Sequence, residues 1–225
     1  MEVYHVENPA VRAAVALEQL LVQHAASPTL LMVAGGSWLA VLDLITLTSP
    51  GSQVTLCVLD ERFSTDPTVN NFVQLRAGTF YQRVTPLGVQ SIATVVSEAD
   101  TLPGFTQRFE SNLQTWHRDN ADGVVIAAIG WGTDGHIAGI FPNTIALAAA
   151  NEEWLCGYEA SMIEYTKRIT VTPYFLTNIV DYAVGYGVGT EKKSLILQLE
   201  ANALPPDTPL CLLKQMKSVS VFTGS

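Results

Sequence analysis

The chain has 225 residues, of which 48% are hydrophobic and 15% are charged, a composition typical of a globular protein with a sizeable core. No apolar stretch reaches the roughly eighteen residues that a spanning helix needs, and the opening MEVYHVENPAVR lacks the basic start and apolar core of a signal peptide. The net charge of −9 disfavours nucleic acid and anionic membranes as partners. We therefore expect a cytoplasmic protein that binds neither.

The three cysteines are scattered along the chain as Cys57, Cys156 and Cys211. An odd number without a CxxC spacing argues against a disulfide framework and against a zinc site. The histidines show no ligand spacing either, so we predict that the protein has no metal site.

The first predicted elements alternate between helix and buried strand. Asn8-Pro9 predicts the start of a helix, because asparagine is a favoured cap and the missing N–H of proline costs nothing at the first helical position. The continuous apolar run 29–34 predicts a buried parallel strand. The segment 37–48 then predicts a helix, and 53–59 predicts the next buried strand.

The alternation continues to the end of the chain. We predict helices over 103–119, near 173–180, over 191–199 and over 208–216, and strands over 123–129, 168–172, 182–186 and 218–222. Strands that alternate with helices imply βαβ units, so the sequence predicts an α/β fold with a mostly parallel sheet and helices on both faces. No linker or repeat interrupts the pattern, and residues 1–225 are predicted to form one domain.

Three unusual polar segments follow predicted strands. Gly-Gly-Ser follows the strand 29–34, Asp-Glu-Arg follows 53–59, and GWGTDGH follows 123–129. Ligands of parallel α/β sheets bind beyond the carboxyl ends of the strands. The sequence therefore predicts an active site at this edge.

Gly35, Gly36 and Ser37 join a predicted strand to a predicted helix. Glycines let the backbone approach a ligand, and a helix start offers free N–H groups to an anion. The same residues also suit a plain strand–helix turn, and the motif alone does not separate the two interpretations.

Asp60 and Arg62 belong to the Asp-Glu-Arg segment. A carboxylate at a strand end can move protons or orient a histidine, and an arginine can bind phosphate or stabilise an oxyanion. The alternative is a solvated charged turn, which would not need an apolar strand to direct it.

The stretch Gly130–His136 is the most informative of the three. Its glycines allow a compact loop that presents one acid, Asp134, and one histidine, His136. Histidine titrates near neutrality and is the commonest general base, and a nearby carboxylate can fix its tautomer. We assign structural or surface roles to the other histidines, His5, His24 and His117.

Together these segments resemble the 6-phosphogluconolactonase family, within the larger group that includes glucosamine-6-phosphate deaminases. AGGSW (34–38) is similar to the family's SGGST loop, LDERFSTDPTVNNF (59–72) to its DER…D…SN segment, and IGWGTDGHIAGIFPN (129–143) to its GMGxDGHTASLFP signature. KRITVT (167–172) is similar to RITLT, GTEKKSLI (189–196) to the GxxK segment, and LPPDTPLCLLK (204–214) to the LPAS region. The similarities cover nearly the whole chain in the same order.

The resemblance implies a three-layer, Rossmann-like fold and hydrolysis of 6-phospho-D-glucono-1,5-lactone to 6-phosphogluconate in the pentose phosphate pathway, without a cofactor. By position it implies that His136 is the general base with Asp134 beside it, and that Asp60 and Arg62 line the reacting end. It implies a phosphate site formed by Gly35, Gly36, Ser37, Arg168 and Lys192. The expected partner is a small phosphorylated sugar lactone, and the expected state is a monomer or a homodimer.

The sequence departs from the family pattern at Trp38, where a threonine is usual, and at Ile137, which also replaces a threonine. The C-terminal SVSVFTGS lacks the family's W-x-x-D pattern. These departures affect the expected substrate affinity and specificity.

Two other functions fit the sequence less well. A glucosamine-6-phosphate deaminase would carry Asp-Glu-Tyr where this chain has Asp-Glu-Arg, and a glutamate where it has Phe141. A non-catalytic sugar-phosphate sensor of the kind found in transcription regulators would be attached to a DNA-binding helix-turn-helix, and His136 would not be needed.

Overall fold

A computed structural model describes residues 1–46, 53–149 and 152–224. Its main sheet has seven parallel strands, which are β1 (Glu2–Val6), β2 (Thr29–Val33), β3 (Val54–Val58), β5 (Gln90–Ser91), β6 (Val124–Ile129), β9 (Tyr182–Gly187) and β10 (Val219–Gly224). Their order in the sheet is β1-β10-β9-β6-β2-β3-β5. The predicted α/β fold with a mostly parallel sheet is confirmed.

The helices pack on the sheet and bury a continuous apolar core. They are α1 (Pro9–Gln23), α2 (Ser37–Leu42), α3 (Asn71–Ala77), α4 (Thr79–Val84), α5 (Leu102–Asp119) and α6 (Thr190–Glu200). All five residues of β2 are buried, as expected for a central parallel strand covered on both faces. This burial explains why the apolar runs predicted the central strands correctly.

Several predicted elements differ in type or extent. Asn8 is the N-cap residue of α1, but its side chain makes no capping hydrogen bond. Of the two predicted start signals, only Pro9 at the first helical position is realised. The helix predicted over 37–48 ends at Leu42, and residues 47–48 lie outside the described ranges. The helices predicted near 173–180 and over 208–216 are a π-helix, Phe175–Ile179, and a 3₁₀ helix, Pro209–Lys214.

A second, three-stranded antiparallel sheet is absent from the sequence prediction. Its strands are β4 (Asp60–Arg62), β8 (Lys167–Val171) and β7 (Leu155–Glu159), in the order β4-β8-β7. The Asp-Glu-Arg segment is therefore a strand rather than a turn after a strand. Three residues are too few to show the alternation that identifies a strand in a sequence. They form a strand only by pairing with residues more than a hundred positions away in the chain.

The register of β4 against β8 decides which of their side chains face the same way. Arg62 pairs with Arg168, and Asp60 pairs with Thr170. Opposite residues of antiparallel strands lie on one face, and alternate residues along a strand lie on opposite faces. Asp60, Arg62 and Arg168 therefore share one face of the small sheet, and Glu61 lies on the other.

Candidate active site

A cavity of about 500 Å³ lies at the carboxyl ends of β2 and β6, with the small antiparallel sheet along one side. All nine residues that the sequence singled out line it: Gly35, Gly36, Ser37, Asp60, Arg62, Asp134, His136, Arg168 and Lys192. The position agrees with the general rule for ligands of open parallel sheets. The structure thus brings together residues from five separate segments of the chain.

The loop after β6 holds His136 and Asp134 against each other. The His136 Nδ1 and the Asp134 Oδ1 are 2.6 Å apart, and the same oxygen accepts a bond from the His136 backbone N–H at 3.2 Å. A Cβ atom on Gly132 would collide with the imidazole and the carboxylate. Glycine is therefore required at position 132 for this pair to fold back against the loop.

The ionisation of the Asp134 carboxyl group determines the tautomer of His136. Burial alone would raise the pKa of Asp134, but the hydrogen bonds and charge interaction with His136 outweigh burial, and its pKa lies below the ordinary value. An ionised carboxylate can only accept a hydrogen bond, so Nδ1 carries the proton that faces it. In the neutral imidazole the lone pair would then lie on Nε2, where it could accept a proton.

Phe141 lies between the histidine and an arginine. Its ring stacks on His136 with centroids 4.1 Å apart and an interplanar angle of 27°. The guanidinium carbon of Arg168 lies 5.3 Å from the centroid of the same ring. Phe141 thereby limits the rotation of the imidazole, which Asp134 holds at only one edge.

Arg168 is buried at the side of the cavity formed by the small sheet. It donates to the backbone carbonyls of Glu164 and Tyr165 at 3.0 and 3.1 Å, and its Nη1 lies 3.5 Å from Asp60 Oδ2. Burial lowers its pKa, and the nearby charge of Asp60 opposes that shift. Arg168 therefore holds the backbone of residues 164 and 165 in the cavity wall and also gives that wall a positive charge.

Arg62 stands opposite Arg168 on the strand pair and is fixed separately. Its Nη1 donates to the Val69 carbonyl at 3.0 Å, and its guanidinium lies 5.5 Å from the Tyr165 ring centroid. Like charges directly opposite each other across strands are destabilising. Asp60, whose Oδ2 lies 3.5 Å from the Arg168 Nη1, offsets part of this repulsion.

Lys192 lies in the first turn of α6 and reaches the cavity from the side of the main sheet. Its ammonium group makes no hydrogen bond or ion pair within the described ranges, and burial lowers its pKa. Three cations and three carboxylates line the cavity, the acids being Asp60, Asp134 and Glu164. The cavity thus carries no net formal charge in a chain of net charge −9.

Sequence reasoning missed several cavity residues. Asn71, from the start of α3, and Met162, Ile163 and Glu164, from the segment that joins β7 to β8, also line the cavity. The segment 162–164 has no periodicity or motif that could have singled it out. Asn71 reaches the cavity only because α3 docks on β4, a contact that no local pattern predicts.

Glu61 does not face the cavity, although it lies between two residues that do. It is fully buried on the opposite face of β4, where its carboxylate accepts four hydrogen bonds, from the backbone N–H groups of Arg62, Asn71 and Phe72 and from the Thr94 hydroxyl. Burial raises its pKa to about 7, although these bonds lower it in part. Glu61 fastens β4 to the start of α3.

Two of the three departures from the family pattern, Trp38 and Ile137, lie in the core. Trp38 and Ile137 are fully buried, and neither lines the cavity. Trp38 packs edge-on against Tyr186, with ring centroids 6.0 Å apart. The tryptophan thus removes a hydroxyl from the helix start without placing its own ring in the cavity.

Within the described part of the chain, no three or more His, Cys, Asp or Glu side chains come together as a metal site would require. No helix of those residues is both long enough and apolar enough to span a membrane.

The fold is similar to several solved structures over nearly its full length. One is the 6-phosphogluconolactonase of Thermotoga maritima, with a TM-score of 0.77, 19% identity, and coverage of 100% of this chain and 99% of that one. The enzyme from Plasmodium vivax gives a TM-score of 0.78 at 15% identity, covering 99% and 90%. The enzyme from Trypanosoma brucei gives 0.75 at 17% identity, covering 99% and 95%. At these identities the likeness shows a shared fold.

No curated protein sequence matches the chain significantly. A family model described as glucosamine-6-phosphate isomerases/6-phosphogluconolactonase matches residues 7–222. A match over almost the whole length establishes the family, and the chain belongs to the glucosamine-6-phosphate isomerase/6-phosphogluconolactonase family.

Proposed function

We propose that the protein hydrolyses 6-phospho-D-glucono-1,5-lactone to 6-phosphogluconate, the second step of the oxidative pentose phosphate pathway. The observation that carries the proposal is a single cavity with the His136–Asp134 pair on one wall and Arg168 and Lys192 on others. Family membership supports it, as do the full-length neighbours that are 6-phosphogluconolactonases.

In the proposed reaction His136 is the general base. Its Nε2 takes a proton from a water molecule as the water oxygen bonds to C1, and the carbonyl becomes an oxyanion. The C1–O bond to the ring oxygen then breaks, and His136 returns the proton to that oxygen. Asp134 keeps the imidazole oriented and stabilises its transient positive charge.

Asp60 and Arg62 are proposed to line the reacting end. An arginine near the carbonyl oxygen stabilises the negative charge that develops there, in a site where water is partly excluded. Asp60, beside Arg168, balances the positive charge of the small sheet when no substrate is bound.

The phosphate group is proposed to lie between Arg168, Lys192 and the loop Gly35-Gly36-Ser37. Arginine binds phosphate through parallel N–H bonds, and lysine acts as a mobile point charge. Free N–H groups at the start of α2 add to the positive potential. This arrangement would place two of the three cations of the cavity beside the phosphate, in a chain of net charge −9.

A deaminase is the second enzyme activity of the family. Phe141, which packs on His136, stands where the deaminase signature has a glutamate that assists ring opening. An apolar ring cannot transfer a proton, and this favours the lactonase. A non-catalytic sugar-phosphate sensor would not need the short hydrogen bond between Asp134 and His136.

The test is a comparison of two reactions with one preparation of the full chain. We expect hydrolysis of 6-phosphogluconolactone above the spontaneous rate, unchanged by a chelator, and no release of ammonia from glucosamine 6-phosphate. The converse result would identify a deaminase. Binding of 6-phosphogluconate without turnover of either substrate would identify a sensor.

A further inference from the structure

Trp131 connects the loop that carries the proposed base to the helix that carries one of the proposed phosphate-binding cations. Its backbone belongs to the loop of His136, since Trp131 and Ile137 form an antiparallel bridge and the Gly132 N–H donates to the His136 carbonyl at 2.9 Å. Its indole Nε1 donates to the backbone carbonyl of Lys192 at 3.2 Å. The side chain thus reaches from the loop after β6 to the first turn of α6.

The indole ring is packed tightly against strand β9. Trp131 is 2% exposed, and a Cβ atom on Gly187 would collide with its six-membered ring. A Cβ atom on Gly185 would lie 3.6 Å from the same ring. Glycines at these positions let the ring lie close to the strand, and protein interiors leave little space for a ring to turn. The direction of the indole N–H is therefore fixed by packing.

The start of α6 lacks a side-chain cap. Its N-cap residue is Gly189, which has a φ of +102° and no side chain that could accept a bond from the first turn. The Lys192 ammonium group has no hydrogen-bond or ion-pair partner among the described residues. The position of this charge therefore depends on where the backbone of the first turn is held, and the indole of Trp131 holds it at residue 192 itself.

We propose that Trp131 is a positioning residue that fixes the Lys192 ammonium group relative to His136. The inference deepens the proposed function, because it takes Lys192 to bind the phosphate of the substrate. Lysine carries a point charge on a flexible stem, so its charge moves when its backbone moves, and its attraction to phosphate falls with distance. The phosphate and C1 lie at opposite ends of the substrate, so loss of this contact should affect binding far more than the chemical step.

The experiment measures Kd for 6-phosphogluconate by calorimetry in Trp131→Phe, which keeps an aromatic ring and removes the N–H. We expect binding to weaken by roughly three- to tenfold, the range for one lost neutral hydrogen bond. In the Lys192→Met background the same substitution should change Kd by less than about twofold, because the charge that Trp131 positions is gone. The KM for the lactone should rise with Kd, whereas kcat should stay within about twofold of the wild type.

Two further variants separate this role from a contribution to folding. Trp131→Met also fills the space without an N–H, through a flexible apolar side chain, and should give the same loss of affinity. Trp116→Phe is the matched control, because the Trp116 indole N–H donates to the Thr55 hydroxyl at 3.1 Å and neither residue lines the cavity. The control also loses one indole hydrogen bond and should lower the free energy of unfolding, but it should bind 6-phosphogluconate as the wild type does.

An unchanged Kd in both Trp131 variants would refute the inference, and so would a loss that persists undiminished in the Lys192→Met background. A wild type that does not bind 6-phosphogluconate would refute it as well. Lactone turnover is measured in parallel, so the two proposals separate. Coupling between Trp131 and Lys192 without turnover leaves Trp131 assigned and refutes the lactonase, whereas turnover without coupling supports the lactonase and refutes the role of Trp131.

Discussion

Two neighbours control the imidazole of His136 in different ways. Asp134 holds one ring nitrogen through a 2.6 Å bond, and Phe141 holds the plane of the ring through stacking. The first contact fixes the tautomer and the second fixes the direction in which the remaining nitrogen points. In the proposed mechanism the base must meet one water molecule beside one carbonyl carbon, and both contacts would favour that geometry.

Removing either member of the pair should reduce turnover with little effect on folding. We expect His136→Ala to lower kcat by about 10²–10⁴-fold, the usual contribution of a general base. Asp134→Asn should lower kcat with a smaller change in KM, because it disturbs the tautomer rather than phosphate binding. Steady-state kinetics, corrected for spontaneous hydrolysis, check both. A wild-type kcat in His136→Ala would exclude the mechanism.

Lys192 illustrates how a proposed binding residue can reduce the stability of the fold. Burial lowers its pKa, and no anion within the described residues compensates for the desolvation of its charge. The folded state therefore disfavours the charged form relative to the unfolded chain, and the charge is useful only when an anionic ligand is present.

We expect Lys192→Met to raise the free energy of unfolding and to weaken binding of 6-phosphogluconate by roughly 10- to 100-fold, the usual cost of a lost charge-assisted bond. Chemical denaturation and calorimetry measure the two effects. Lys193→Met is the control, because Lys193 is the next residue of α6 but does not line the cavity. An equal loss of affinity in the control would mean that only the general charge of the chain matters.

At the scale of elements, the junction between β4 and α3 depends on one buried carboxylate. The Glu61 carboxylate accepts four hydrogen bonds from donors in three separate segments of the chain. Burial raises its pKa to about 7. The folded state thus binds a proton on Glu61 more tightly than the unfolded chain, in which the pKa is near 4.5. The stability that this proton provides is fully present below the unfolded value and is lost as the pH rises through about 7.

The pH dependence can be isolated by comparison with Glu61→Gln, which cannot titrate. Between pH 4 and pH 8 we expect the wild type to lose stability relative to this variant by on the order of 3 kcal/mol. Denaturant unfolding at each pH gives the difference, and titrations elsewhere in the chain cancel. A difference that stays constant with pH would show that the pKa of Glu61 is the same in the folded and unfolded states.

The elements that the sequence predicted well are those whose own residues determine them. The apolar runs that became β2, β3 and β6 are buried on both faces, and α5 occupies almost the range predicted for it. In the small sheet only β8 was predicted as a strand, over 168–172. The strands β4 and β7 were missed because they are short and mixed in polarity, as in the segment LCGYE of β7. Such segments become strands through pairing with distant residues, which a local pattern cannot show.

The same limit applies to the site. Its position and nine of its residues could be predicted, because parallel strands end at one edge and the motifs follow those ends. Asn71 lies in the segment 59–72 that resembles DER…D…SN, but its place in the cavity could not be predicted, because that place depends on the docking of α3 through Glu61. The face that Glu61 takes could be predicted only after Asp60–Arg62 is known to be a strand.

At the scale of the whole molecule, the order of the main sheet places β1 at one edge, separated from β6 by β10 and β9. Its partner in that sheet is β10, and Glu2 pairs with Ser220 across almost the entire length of the chain. Its burial is slight, since three of its five residues are exposed. The strand is thus attached to the fold mainly by backbone hydrogen bonds at an edge.

A strand attached in this way can open while the rest of the sheet stays closed. Amide hydrogens of β1 should therefore exchange with solvent deuterium sooner than those of β2 and β6, by local opening rather than global unfolding. Saturation with 6-phosphogluconate should slow exchange around the loop 130–136 and leave β1 unchanged. Hydrogen-exchange mass spectrometry tests this, and protection of β1 by the ligand would mean that the edge and the cavity open as one unit.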